Sequence, residues 1–194
     1  MKNNYENKYA DLINDLNGKL SKKRAKHCMN VAKEAVKLAS KYDENEENAY
    51  LAGLLHDIMK EIEKPKMLEI INNGEYEVEE VELNNSALWH GIASAVYARQ
   101  IGIDNVDILN AIRYHTVARE NMSKLEKIVY LADLISEDRD YSDVDTMRKK
   151  AHDNLDDAMI YALCFTLHKQ ADRKGTVPLT TIKAYNYFIN KKNG

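Results

Sequence analysis

The pair His56-Asp57 closes the stretch AYLAGLLHD, residues 49–57, and is where this chain has the means to do chemistry. At helical spacing Ala49, Ala52, Gly53 and His56 share one face, so small residues lead up to an imidazole aimed at the interior. Neighbours on a helix differ by about 100° in azimuth, so both side chains at a buried helix end can reach one metal ion, and an aspartate can bridge two. A second pair, His152-Asp153, follows two lysines and precedes an asparagine, which reads as a solvated helix end. Company separates the two. His27, His90 and His115 each lie on or at the end of an apolar stripe, and Asp133 falls among Ile128, Val129 and Ala132, where an aspartate without a cation is costly to bury.

Nitrogen and carboxylate ligands without thiolate suit iron, manganese, zinc or a similar first-row ion. His27, His56, Asp57, His90, His115 and Asp133 are more ligands than one ion usually takes from protein, so two ions bridged by Asp57 fit better. Two metals roughly 3.5 to 4 Å apart can hold a bridging hydroxide as nucleophile and offset charge on an attacked phosphoryl group. The chemistry implied is hydrolysis of a phosphoester or phosphoanhydride, with Asp57, His90 and His115 as the catalytic candidates. Lys60, one turn beyond Asp57, is within reach of a substrate phosphate.

Helices must position these groups. Tyr5, Tyr9, Leu12, Ile13 and Leu16 recur at helical spacing, with a stop expected at Asn17-Gly18. Ser21 is an N-cap for a helix that turns Arg24, His27, Val31, Ala35 and Leu38 to one side. An acidic turn over residues 43–48 opens the central helix ending at His56-Asp57, and Pro65 starts a short helix closed by Asn73-Gly74. EYEVEEVEL, residues 75–83, reads as a short helix or connector covering the flank of the site. Asn84, Asn85 or Ser86 is expected to cap the helix that carries His90, with Gly102 as its stop. Asn105 or Asp104 caps the next, where Ile108, Ile112 and His115 align. Arg119 falls in a loop, Ser123 and Glu126 form a capping-box signature, and the helix they open carries Asp133. Two further helices, over residues 144–151 and 155–172, precede a last amphipathic one after Pro178.

Composition agrees. Seven glycines and two prolines in 194 residues, in a chain rich in Lys, Glu, Ala, Leu and Ile, indicate an all-α protein. A formal charge of -3 leaves no positive excess to hold a nucleic acid duplex by its phosphates. Cys28 and Cys164 match no disulfide framework, no apolar run approaches a membrane span, and MKNNYENK lacks a signal-peptide core, so a cytoplasmic protein is expected. The length suits a single domain over residues 1–194, with a core at about 21–140 and a C-terminal helical extension at about 143–191.

The order H, HD, H, H, D, with the segments KRAKHCMNVA, LAGLLHDIMK, HGIASAVYA, ILNAIRYHT, NMSKLEKIVYLAD and NLDDAMIYAL, resembles the YqeK family of HD-domain symmetrical diadenosine tetraphosphatases, over residues 21–186. The resemblance implies an HD-domain helical bundle with additional N- and C-terminal helices. It implies a mono- or di-iron centre, other divalent first-row metals being alternatives, and cleavage of diadenosine tetraphosphate, a small-molecule dinucleoside polyphosphate, into two ADP. By motif, His27, His56, Asp57 and Asp133 match the ligands of the main metal, and His90 and His115 complete a second position or contact the phosphates. Arg24, Lys60, Thr116, Arg119 and Arg139 match groups placed near the nucleotide phosphates, alongside His90, His115 and Asp133.

Three stretches depart from the family. Thr-Gly-Arg becomes Thr116, Val117, Ala118, Arg119, Glu-Pro before the later arginine becomes Ser136, Glu137, Asp138, Arg139, and a C-terminal arginine becomes Tyr185. Two other readings keep the same centre: a nucleotidase or guanosine polyphosphate hydrolase, because pocket shape sets substrate choice, and a weakly catalytic nucleotide-binding sensor. A homodimer is compatible with the sequence, which defines no self-complementary patch.

Overall fold

A computed structural model describes residues 5–194, and among them there are helices and no strands. In chain order the helices are α1 (Tyr5–Lys8), α2 (Ala10–Lys19), α3 (Lys22–Lys41), α4 (Glu46–Leu55), α5 (Lys64–Asn72), α6 (Glu80–Leu83), α7 (Trp89–Gln100), α8 (Val106–Tyr114), α9 (Lys124–Ile135), α10 (Val144–Asp153), α11 (Leu155–Asp172) and α12 (Leu179–Asn193).

Side-chain caps set several of the starts. Ser21 accepts from the backbone of Arg24, Asn45 from Asn48, Asn105 from Asp107, and Asn154 from Asp156 and Asp157. Each satisfies an amide that the helix itself leaves without a partner. Gly102, with φ of 93°, lets the chain turn after α7 as expected.

Other local signals give way to packing. The first helical stretch is divided by a turn at Tyr9, and Gly18 does not stop it: α2 runs on to Lys19, so that Leu16 and Leu20 are both buried. None of Asn84, Asn85 and Ser86 caps α7. Its N-cap position is Leu88, with no side-chain hydrogen bond, while Asn85 accepts from Ala87 in a local turn. The box at Ser123 is half formed, because the Glu126 carboxylate turns away to Arg119.

The core of the bundle is α3 packed on α4, α7 on α8, and α9 against both α3 and α8. Small residues make the first contact close. A Cβ on Gly53 would stand 2.8 Å from the Cα of Ala32, and Ala35, Ala39, Ala49 and Ala52 are fully buried around it. At Gly91 a Cβ would stand 3.0 Å from the carbonyl oxygen of Arg113, so α7 also meets α8 closely, one residue from His90. Helices α10 to α12 stack on this core through α9 and α11. No helix of the described residues is long and apolar enough to cross a membrane.

Candidate metal centre

Five helices deliver the six predicted ligands. His27 lies in the second turn of α3, His56 is the residue that ends α4, and Asp57 follows it. His90 is in the first turn of α7, His115 ends α8, and Asp133 lies in the last turn of α9. After Leu55 the chain leaves the helical ladder for tight turns, with Ile58 bonded to Leu55 and Lys60 to Asp57. That frees the carbonyl of Gly53, which accepts the Nδ1–H of His56 at 2.7 Å. The same device recurs at α8, where the carbonyl of Ile112 accepts the Nδ1–H of His115 at 2.7 Å. Both rings are thereby held in one tautomer, with the Nε2 lone pair turned inward.

All six side chains meet. Ligating atoms lie within 4.8 Å of one another in three overlapping sets: His27 with His56 and Asp57, His56 with His115 and Asp133, and Asp57 with His90 and His115. His56, Asp57 and His115 each belong to two of them, and Asp57 is the one that offers a different oxygen to each side. Its Oδ2 is 3.6 Å from His56 Nε2, whereas its Oδ1 is 3.1 Å from His90 Nε2 and 3.7 Å from His115 Nε2. Asp133 Oδ1 joins the first side, 2.9 Å from His27 Nε2 and 3.8 Å from His56 Nε2.

Electrostatics keep His56, His90, Asp57 and Asp133 in the state that binds a cation, whereas His27 without a cation is drawn toward its protonated form by Asp133. Burial pushes His56 and His90 down to about 4, so both imidazoles are neutral at pH 7. Burial alone would raise Asp57 and Asp133, but the surrounding charges and hydrogen bonds outweigh it. Chiefly His56, with bonds from His115 and His90, holds Asp57 well below the usual carboxylate range, and the His27 bond and Arg139 do the same for Asp133. For His27, burial is overcome by the Asp133 hydrogen bond and the net direction is up.

The donor set fits a divalent first-row ion. His56 Nε2 is fully buried and has no hydrogen-bond partner, a lone pair whose desolvation costs about 1–3 kcal/mol unless an acid meets it. Two carboxylates and four imidazoles in overlapping sets, without a thiolate, form the donors such ions prefer.

The predicted phosphate contacts divide. Arg24 Nη1 is 2.8 Å from Asp57 Oδ2, and Arg139 bonds both the carboxylate and, at 2.6 Å, the carbonyl oxygen of Asp133. Lys60 Nζ lies 2.9 and 3.0 Å from the two ring nitrogens of His90 and 3.9 Å from Asp57 Oδ1. These three cations therefore stand at the centre. Thr116 Oγ1 is buried without a partner, near the point where α7 meets α8. Arg119 is not brought in: its guanidinium makes a two-pronged ion pair with Glu126, at 2.8 and 2.5 Å, over the ring of Tyr114. Glu126 is fully buried and needs that charge, which is why the arginine turns inward.

Periodicity missed five polar residues. Asp138 accepts from His27 Nδ1 at 2.8 Å and from Asn30 at 3.0 Å, and is held at about 2, because those bonds outweigh its burial. Glu82, read only as part of an acidic connector, is buried in a bidentate pair with Arg113 at 2.9 Å. Asn30 had one available signal, its place one helical turn after His27. Glu126 gave the opposite signal, that of a capping residue.

A bundle whose helices gather His, His-Asp, His, His and Asp into one cluster defines the HD-domain class, and the HD domain family matches residues 24–138. The chain is 32% identical over 171 residues, 88% of its length and 91% of the relative's, to a symmetrical bis(5'-nucleosyl)-tetraphosphatase of Halalkalibacterium halodurans. It is 33% identical over 172 residues, 88% of its length and 89% of the relative's, to the Staphylococcus aureus protein of that name. The crystal structure of a predicted HD superfamily hydrolase involved in NAD metabolism from Clostridium acetobutylicum superposes with a TM-score of 0.91 at 41% identity, covering 94% of this chain and 97% of that one. The chain belongs to the HD-domain family, within the group of the symmetrical bis(5'-nucleosyl)-tetraphosphatases.

Proposed function

We propose that this protein hydrolyses diadenosine tetraphosphate symmetrically, giving two ADP, at a divalent metal centre held by His27, His56, Asp57 and Asp133, with His90 and His115 completing a second position. The likeness to the symmetrical tetraphosphatases over 88% of the chain supports the substrate, and the observation that supports the centre is the division of Asp57, whose two carboxylate oxygens face different imidazoles and would suit a bridging ligand. A divalent ion bound there supplies a Lewis acid that acidifies water and offsets phosphoryl charge. Iron is the ion we expect; the thiolate-free donor set supports it without excluding its neighbours. The unpaired cysteines, Cys28 and Cys164, support a reducing, cytoplasmic setting.

The protein's own residues then bind and orient the substrate. Arg24, His27 and Arg139 line a cavity of about 480 Å³ beside the cluster, large enough for a nucleotide, where the guanidinium N–H groups not engaged by Asp57 and Asp133 can donate to its phosphates. Lys60 Nζ, fixed against His90, donates to a phosphate oxygen on the other side of Asp57. Water adds to one of the two inner phosphorus atoms, and the oxygen linking them leaves with the other half. Each half keeps two phosphates, so both products are ADP.

Product analysis tests the reading. The symmetric substrate is expected to give ADP alone, with oxygen from labelled water in one ADP of each pair. AMP with ATP, or tight binding without turnover, would overturn it. Elemental analysis of protein purified without added metal identifies the ion; zinc or manganese in place of iron would correct that assignment alone.

A further inference from the structure

The histidines of the cluster are steadied in different ways. His56 and His115 each end a helix, where carbonyl groups of the last turn have no partner in the ladder, and each uses the carbonyl three residues back. His27 has no such choice. It sits inside α3, where the preceding carbonyls are engaged in the helix's own bonds, so an acceptor for its Nδ1–H has to come from another part of the fold.

Asp138 provides it. One carboxylate oxygen is 2.8 Å from His27 Nδ1, and the other accepts from Asn30 Nδ2 at 3.0 Å. Asn30 is three residues on from His27, so the two side chains rise from one face of α3 and grip the carboxylate together. His27 Nε2 is left facing Asp133 and the rest of the cluster. Asp138 belongs to the Ser136–Arg139 stretch, in which this chain departs from the Glu-Pro pattern of its family.

We infer that Asp138 is a positioning residue: it fixes the tautomer and plane of His27 and, through its negative charge, makes that ring a stronger donor to the metal than His56 and His115. Any acceptor behind a ligating imidazole orients it and raises its basicity, and a carboxylate, carrying a full negative charge, does so more than a neutral carbonyl. Asp138 touches no reacting atom and acts through His27. The inference rests on the reading of His27 as a metal ligand.

The test is a zinc titration of the purified full chain, stripped of metal, against a chromophoric chelator. Asp138→Ala is expected to raise the zinc Kd about 10–100-fold, and Asp138→Asn, which keeps an acceptor oxygen but loses the charge, by less. Asn30→Ala moves Kd in the same direction, whereas Glu137→Gln, at an exposed neighbour, leaves it unchanged. In histidine-labelled, zinc-loaded protein, the nitrogen resonances of His27 shift in Asp138→Asn while those of His56 and His115 stay. A purely structural role for Asp138 predicts a lower melting temperature with neither change. Wild-type zinc affinity in Asp138→Ala, or an equal loss in Glu137→Gln, overturns the inference. His56→Ala keeps the two failures apart: if it too binds zinc with wild-type affinity, the metal centre itself is wrong.

Discussion

The carbonyl oxygen of Gly53 accepts the Nδ1–H of His56 at 2.7 Å, and the bare Cα of the same glycine lies against Ala32 of α3. One residue thus sets both the tautomer of a candidate ligand and the spacing of the two helices that carry His27 and His56. The second role forbids a side chain, since backbone atoms of Ala32 cannot move aside as a flexible side chain would.

Gly53→Ala is therefore expected to destabilise the protein by about 1–3 kcal/mol through overpacking. For a chain of this size each kcal/mol lowers Tm by roughly 2–4 °C. Zinc affinity should fall as well, because the α3–α4 spacing sets the distance from His27 to His56. Thermal melts with and without zinc check both, and a variant as stable as wild type would contradict the close contact.

Asp57→Ala should abolish both bound metal and hydrolysis while the helical circular dichroism signal persists. Asp57 faces His56 with one oxygen and His90 and His115 with the other, so no single neighbour can replace it. Full activity in that variant would rule out the bridge.

The buried pair of Glu82 and Arg113 ties α6 to α8, two residues before His115; each side chain is 2% exposed. Removing one partner leaves a buried, uncompensated charge, so Glu82→Met or Arg113→Met alone is expected to cost about 3–5 kcal/mol. The double substitution should restore most of that loss, since two apolar side chains there leave no charge unpaired. A double-mutant cycle in urea measures the coupling, and additive losses would show that the pair is not an energetic unit.

The amino-acid order was enough to place most of the helices and to single out the side chains that the fold brings together. Apolar spacing marks α3, α4, α8 and α9, and the capping residues Ser21, Asn105 and Ser123 sit where the chain enters three of them. Histidines at the inner faces or ends of such stripes converge once the stripes pack together, so the cluster of His27, His56, Asp57, His90, His115 and Asp133 was legible before any coordinates. Periodicity reports which way a side chain points, but not what it meets. Only the packed bundle decided that Arg119 serves Glu126 instead of the centre, that Glu82 closes on Arg113, and that Asp138 stands behind His27 from a position more than a hundred residues along the chain. Those pairings depend on where loops return and on which buried charge lacks a partner, and both are settled when the helices dock.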